Sequence, residues 1–293
     1  MRLKSPGCRR GVRLLVAIVV VALVAVYLIF PAILGFIATR SRQAVVGEPP
    51  EGFQTVALTT EDQIELAAWY APPTNGAVIV LIHGAGQSRD SIRPYAAMLA
   101  KHDFGILAFD LRGHGESGGN TNLFGWNGAR DVAAALRYLQ GQEEVTSIGG
   151  LGLSLGGEVL LGAASAYPAL QAIASDGATH RSFEDMYSLP LERPFYRHFV
   201  TRVMYSAAQV FSGDTPPSPT ILESIQAAET TQLLLIAAGG NSAEVNYNSM
   251  FAEAVGDRAT LWIVPDIGHV EAFSRFPQEY EQRVVGFFQE MLL

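Results

Sequence analysis

The chain has 293 residues, 49% of them hydrophobic, one cysteine and a formal net charge of −8. Such a length suits one large domain or two modest ones with a substantial core. The acid excess speaks against nucleic acid as a partner, and the lone Cys8 rules out an intrachain disulfide.

The first 13 residues form a basic arm carrying Arg2, Lys4, Arg9, Arg10 and Arg13. Residues 14–38, "LLVAIVVVALVAVYLIFPAILGFIA", then run 25 positions without a charge. As a helix this run would reach ~37 Å, enough to cross a hydrocarbon core of about 30 Å. A cleaved signal peptide would have a shorter apolar region and a small-x-small site, and "GFIATRSR" offers none. The reading is a transmembrane helix, with Pro31 kinking it or marking its outer end. Only Arg40 and Arg42 follow the run, so the charge bias keeps the N-terminus cytoplasmic and puts the body outside, at the cell membrane.

Residues 39–52, with Pro49, Pro50 and Gly52, read as a polar linker. From residue 53 the pattern changes. "FQTVALTTEDQIELAAWYAPP" predicts two alternating strands around a turn at 60–63. "AVIVLIHGAG" and "FGILAFDLRG" are apolar runs bounded by glycines, as in strands buried on both faces, with a helix over 92–102 between them. A helix over 131–140, strand "SIGGLGLS", helix "GGEVLLGAASAY" and strand "LQAIASDGA" follow. After a gap come strand "TQLLLIAAGG", helix 247–255, strand "ATLWIVPDIGH" and helix 280–292. This alternation predicts an α/β fold with a mostly parallel central sheet flanked by helices.

Gly152-Leu153-Ser154-Leu155-Gly156 fits the G-x-S-x-G turn that lifts a nucleophilic serine between a strand and a helix. The motif is short, and its weight comes from the predicted strand–turn–helix setting. The glycine spacing is wrong for a dinucleotide loop, and neither a Walker-type loop nor an H-E-x-x-H pair occurs. No cofactor or metal is expected.

Four segments in order, "LIHGAGQSRDS", "AFDLRGHGESGG", "GLGLSLGG" and "VPDIGHV", make residues 53–293 resemble the α/β-hydrolase superfamily. The likeness is to its serine esterase, monoacylglycerol-lipase-like and serine-aminopeptidase-like branches. The resemblance implies Ser154 as nucleophile, His269 as general base, and the amides of Ala85 and Leu155 as an oxyanion hole. His83 and His114 would brace glycine loops, as would Asp110, Arg112 and Glu116. His102, His180 and His198 have no motif support.

The family's acid is where the sequence departs. Asn241 stands where relatives place an aspartate, and a neutral side chain cannot balance an imidazolium. Glu244 is the preferred acid and Asp176 the alternative. The interval 179–224 breaks the alternation, and Phe195, Phe199 and Val203, with Tyr196, Val200 and Met204, recur at helical spacing. In the family, an insertion here forms a helical lid. The expected function is a membrane-anchored hydrolase of small hydrophobic or lipid-like carboxylic esters, acting through an acyl-enzyme. Thioesterase, amidase and peptidase chemistry use the same machinery, and an inactive binding protein is the alternative from another class. Ser154 excludes the relatives that need an aspartate nucleophile. Oligomeric state is not legible in the sequence.

Overall fold

A computed structural model describes residues 6–120, 123–191 and 194–293. Arg2 and Lys4 of the basic arm and positions 192–193 of the 179–224 insertion lie outside the described residues. The chain opens with helix α1 (Pro6–Val24), a π-helical turn (Ala25–Ile29) and helix α2 (Phe30–Ala38). Pro31 lacks an N–H, and its ring crowds the carbonyl four residues back, which would normally break an α-helix. The wider turn just before it makes room, and the Phe30 N–H bonds to the Ala25 carbonyl. The helix therefore runs on past Pro31 and ends at Ala38. Its apolar stretch, Arg10–Ala38, is 29 residues long, and the described residues leave most of its length before Pro31 exposed.

The following segment is fastened to the body. Strand β1 (Arg42–Gln43) pairs in parallel with a strand at His114–Gly115. The Gly47 N–H donates to the Asp90 carboxylate at 2.8 Å. The polar composition of 39–52 suggests a linker; the backbone N–H groups of Arg42, Ala44, Val46 and Gly47 bond to the body.

Antiparallel strands β2 (Gln54–Thr59) and β3 (Glu65–Ala71) lead to β4 (Ala77–Ile82), α3 (Arg93–Ala100) and β5 (Gly105–Phe109). Next come β6 (His114–Gly115), α4 (Gly128–Gln140), β7 (Ser147–Leu153), α5 (Leu155–Ala163) and β8 (Leu170–Asp176). The insertion supplies α6 (Phe183–Ser188), α7 (Phe195–Ser212) and α8 (Ile221–Ala227). The chain closes with β9 (Gln232–Ala238), α9 (Ser242–Val255), β10 (Ala259–Val264), α10 (Ala272–Arg275) and α11 (Pro277–Leu292).

The described residues form an eight-stranded sheet in the order β10-β9-β8-β7-β4-β5-β3-β2. From β10 to β5 every pairing is parallel. Such strands are apolar throughout because helices cover both faces: every residue of β4, β5 and β7 is buried. One core packs α4, α5, α8 and α9 on one face through Leu136, Leu160, Ile225 and Phe251. The other packs α3 and α11 through Tyr95, Leu99, Val284 and Phe288. The chain winds from β4 outward to β5, then returns to lay β7 on the other side of β4. Strand order reverses there, and the crevice beyond the carboxyl ends of β4 and β7 is where such sheets bind ligands.

The insertion leans on the N-terminal helix. A Cβ on Gly35 of α2 would lie 2.3 Å from the Met204 carbonyl oxygen and 2.9 Å from the Ala207 Cβ. Only a glycine permits so close a crossing of α2 and α7. The Phe36 and Phe211 rings meet edge-on at 5.0 Å, and Tyr27 meets Tyr196 at 6.5 Å. The other side of α7 rests on the body, with Tyr205 stacked on Trp126.

Two buried imidazoles tie the loops at the sheet's carboxyl edge. His83 donates from Nδ1 to the Gly84 carbonyl and accepts the Leu111 N–H at Nε2, so its ring is neutral. His114 lies 5.1 Å away, ring to ring. Burial pulls both from 6.5 to about 4. The unfolded chain therefore takes up these protons first as pH falls, and each neutral ring favours the fold above pH 6.5 by up to about 3 kcal/mol. Urea unfolding should show this stability draining away between pH 6.5 and about 4. A His114→Asn variant that still folds should show a shallower decline.

Candidate active site

Strand β7 turns into α5 within a single residue. Ser154 occupies that turn at φ 51°, ψ −114°, a left-handed conformation costly for any side chain, of order 1–3 kcal/mol. Its surroundings impose it. The Ser154 N–H donates to the Asp176 carbonyl at 2.7 Å, and its own carbonyl accepts the Glu158 N–H at 3.0 Å. A Cβ on Gly152 would lie 2.3 Å from backbone atoms of Gly156 and Gly157, and one on Gly156 would lie 2.3 Å from the Ile82 carbonyl oxygen. The two flanking glycines let helix and strand cross at backbone contact, leaving the serine hydroxyl above the reversal point of the sheet.

His269 comes from the loop after β10. Its Nε2 lies 2.8 Å from Ser154 Oγ, and its Nδ1 lies 2.6 Å from Glu244 Oε1. Glu244 sits in the first turn of α9, with no solvent exposure. A buried carboxylate is costly unless satisfied. Here Oε2 accepts the Ala238 N–H at 2.9 Å, and Oε1 accepts from the Asn241 side-chain amide at 2.7 Å as well as from His269. Asn241 also caps α9, its side-chain oxygen accepting from the amides of Ala243 and Glu244. The helix thus begins at Ser242, five residues before the apolar pattern suggested. The residue standing in the aspartate's place holds the glutamate that reaches the histidine.

Asp176, the alternative acid, lies at the end of β8 and is equally buried. It makes no hydrogen bond to His269. Burial pushes its pKa up to about 7; Tyr280 opposes the rise and the charge of Glu244 adds to it. A carboxyl whose burial favours its neutral form is a poor partner for an imidazolium. For His269 the hydrogen bond to Glu244 outweighs burial and raises its pKa above the ordinary 6.5.

Above these groups lies a cleft of about 520 Å³, lined by Gly84, Ala85, Gln87, Ser91, Tyr95, Leu153, Ser154, His269 and Val270. Ala85 is in the loop after β4. Leu155 is the first residue of α5, so its amide is among those a helix start leaves without an intrahelical acceptor. Ala85 lines the cleft together with the serine, and Leu155 is the next residue after the serine in the chain. The β4 loop is braced from below: buried Arg89 pairs with Asp110, and Asp110 accepts the Arg89 N–H at 2.6 Å and the Glu116 N–H at 2.9 Å. Arg112 bridges Asp62 and Asp131 instead.

Sequence reasoning missed Gln87, Ser91 and Tyr95 as walls of the cleft; their signal was their place in the loop and helix just after "HGAG". Among the described residues none from 179–224 lines it. Nor does any group of three His, Cys, Asp or Glu side chains among them stand ready to hold a metal ion.

Residues 79–285 match the alpha/beta hydrolase family. The chain belongs to that family. It is 28% identical to an uncharacterized protein of Mycobacterium tuberculosis over 281 residues, covering 86% of this chain and 88% of that one. It is 34% identical to protein phosphatase methylesterase 1 of Candida albicans over 101 residues, 34% of this chain and 28% of that protein. An esterase of Pyrococcus furiosus superposes with a TM-score of 0.68 at 23% identity, covering 87% of this chain and 98% of its own. The fold is that of the α/β-hydrolases.

Asn241→Ala removes both the helix cap and a donor to Glu244. It should lower stability by about 1–2 kcal/mol, read as a fall in Tm, while Asn241→Ser, which keeps a cap, should recover part of the loss.

Proposed function

We propose that this protein is a serine hydrolase of carboxylic esters, held at a membrane by its N-terminal helix with the catalytic body on the extracytoplasmic side. The observation that carries the chemistry is the unbroken chain from Glu244 through His269 to Ser154, at 2.6 and 2.8 Å. A serine hydroxyl attacks poorly until a neighbouring imidazole takes its proton. In this reading His269 Nε2 receives the Ser154 proton as Oγ bonds to the ester carbonyl carbon. The negative charge passes to the carbonyl oxygen, which the Ala85 and Leu155 amides stabilise; one such donor is typically worth ~3–4 kcal/mol. As the tetrahedral centre collapses, the carbon–alkoxide bond breaks and the leaving alcohol takes the proton from His269. Water, deprotonated by the same imidazole, then cleaves the acyl-serine. Glu244 holds the ring in the tautomer with its Nδ1 proton facing inward and balances the charge it acquires.

The walls of the cleft, with Tyr95, Val270 and Leu153 beside Ser91 and Gln87, suit a small, partly apolar acyl or alcohol group. The local likeness to a methylesterase supports ester chemistry. The reading of an inactive binding protein drew on Asn241, and Glu244 supplies the charge that Asn241 lacks.

A fluorophosphonate probe should label the wild type, and Ser154→Ala should abolish the label. On p-nitrophenyl esters, Glu244→Gln should cut kcat/KM by about 10²–10⁴-fold. Asp176→Asn, which touches no catalytic atom, should cost less than about tenfold; the reverse ranking would transfer the acid's role to Asp176.

His269 acts as base only when neutral, and its pKa is raised above 6.5 by Glu244. The rate should therefore climb with pH through an apparent pKa above 6.5, and residual activity of Glu244→Gln should climb at lower pH. Initial rates from pH 5 to 9 at saturating and limiting ester check this.

A further inference from the structure

Helix α7 carries an apolar stripe that the described residues leave largely uncovered. Phe195, Phe199, Val203 and Val210 recur at spacings that place them on one face, with Ser206 between. Phe195 is 83% exposed and Val210 77%. Isolated exposed apolar residues need no explanation; an aligned row of them does. The opposite face, with Tyr205 and Ala208, is the one packed on the body.

The stripe is continuous with the N-terminal helix. Leu28 of the π turn, with Phe199, Val203, Val210 and Phe211, lines an open apolar groove of about 400 Å³. A second groove of about 400 Å³ shares Leu28 and Phe211 and runs on over Ile29, Ile33 and Phe36. The close crossing at Gly35 fixes α7 against α2, so whatever surrounds α2 also meets α7.

Charge points to the same surroundings. The 18 residues of α7 include Arg197 and Arg202 and no acid, in a chain of net charge −8. The Arg202 guanidinium lies over the Phe183 ring at 4.2 Å, and its side chain helps line the first groove. The cationic head of Arg202 beside a stripe of aromatic and aliphatic side chains matches the outer part of a bilayer, where a long side chain reaches towards the phosphates.

We propose that α7 is a second membrane-inserted element, inclined along the outer half of α2 with its Phe211 end towards the outer headgroups, and with lipid acyl chains filling the two grooves. This rests on the reading that the N-terminal helix spans a membrane. Tyr196 meets Tyr27 whereas Phe211 meets Phe36, so the Phe195 end of α7 sits deeper than the Phe211 end.

The test uses the full chain with Cys8→Ser, carrying one added cysteine labelled with the fluorophore NBD. The protein is reconstituted in phosphatidylethanolamine–phosphatidylglycerol vesicles doped with doxyl-labelled phosphatidylcholine. Val20→Cys reports the anchor, Phe199→Cys and Val210→Cys report α7, and Gln140→Cys reports the exposed body. Turnover of a short soluble ester confirms that each labelled protein is folded. The expected result is doxyl quenching at Phe199→Cys at least about half as strong as at Val20→Cys, less at Val210→Cys, and none at Gln140→Cys. Quenching at Val20→Cys with none at Phe199→Cys and Val210→Cys overturns the proposal and leaves the anchor standing. Blue-shifted but unquenched emission at those two sites also overturns it, because the face is then covered by protein. Absence of quenching at Val20→Cys overturns the anchor reading and this proposal together.

Discussion

The structure depends on one steric constraint: helix α5 starts so close to strands β4 and β7 that no side chain fits between them. Gly156 meets the Ile82 carbonyl and Gly152 meets the start of the helix, each at a distance that no Cβ could occupy. Backbone contact at this crossing leaves Ser154 a single place to go, at positive φ with its hydroxyl above the sheet. The parallel strands beneath, buried on both faces, keep that crossing from relaxing. Loops from β4, β9 and β10 then need only reach over the same carboxyl edge to surround one oxygen atom.

Around that oxygen, burial and hydrogen bonding separate two carboxyl groups. Both Glu244 and Asp176 are removed from solvent. Glu244 keeps three donors on its oxygens, so its negative charge is compensated where it stands. Asp176 lacks such a set, and burial raises its pKa to about 7. The charge of Glu244 adds to that rise at Asp176. The same economy keeps His83 neutral: its two ring nitrogens serve as one donor and one acceptor, a pattern a protonated ring would break.

Much of this was legible in the residues. The apolar runs ending in "HGAG", "LRGHG" and "GLSLG" are buried parallel strands, and the order of Ser154, Glu244 and His269 along the chain survives as a contact in space. Glu244 could be favoured from side-chain length alone, because an extra methylene compensates for a position one helical turn late. The cap on α9 was harder to read: Asn241 was noticed for the charge it lacks, while its role depends on a helix start that apolar periodicity does not mark. The packing of α7 was illegible for a different reason. Its stripe has the spacing of a core helix, and only the three-dimensional packing shows that α2 meets Met204 and Ala207, that the body covers Tyr205 and Ala208, and that Phe199 and Val210 stay exposed.

The two-residue strand at Arg42–Gln43 has a mechanical consequence out of proportion to its size. It joins the end of the N-terminal helix to His114–Gly115, and the His114 ring rests on His83, the residue that precedes the Gly84–Ala85 wall of the cleft. A body hung on a loose tether could swivel and sample any orientation. This one is clamped like a lamp head on a stiff arm, so the opening keeps one tilt and one height with respect to its stem.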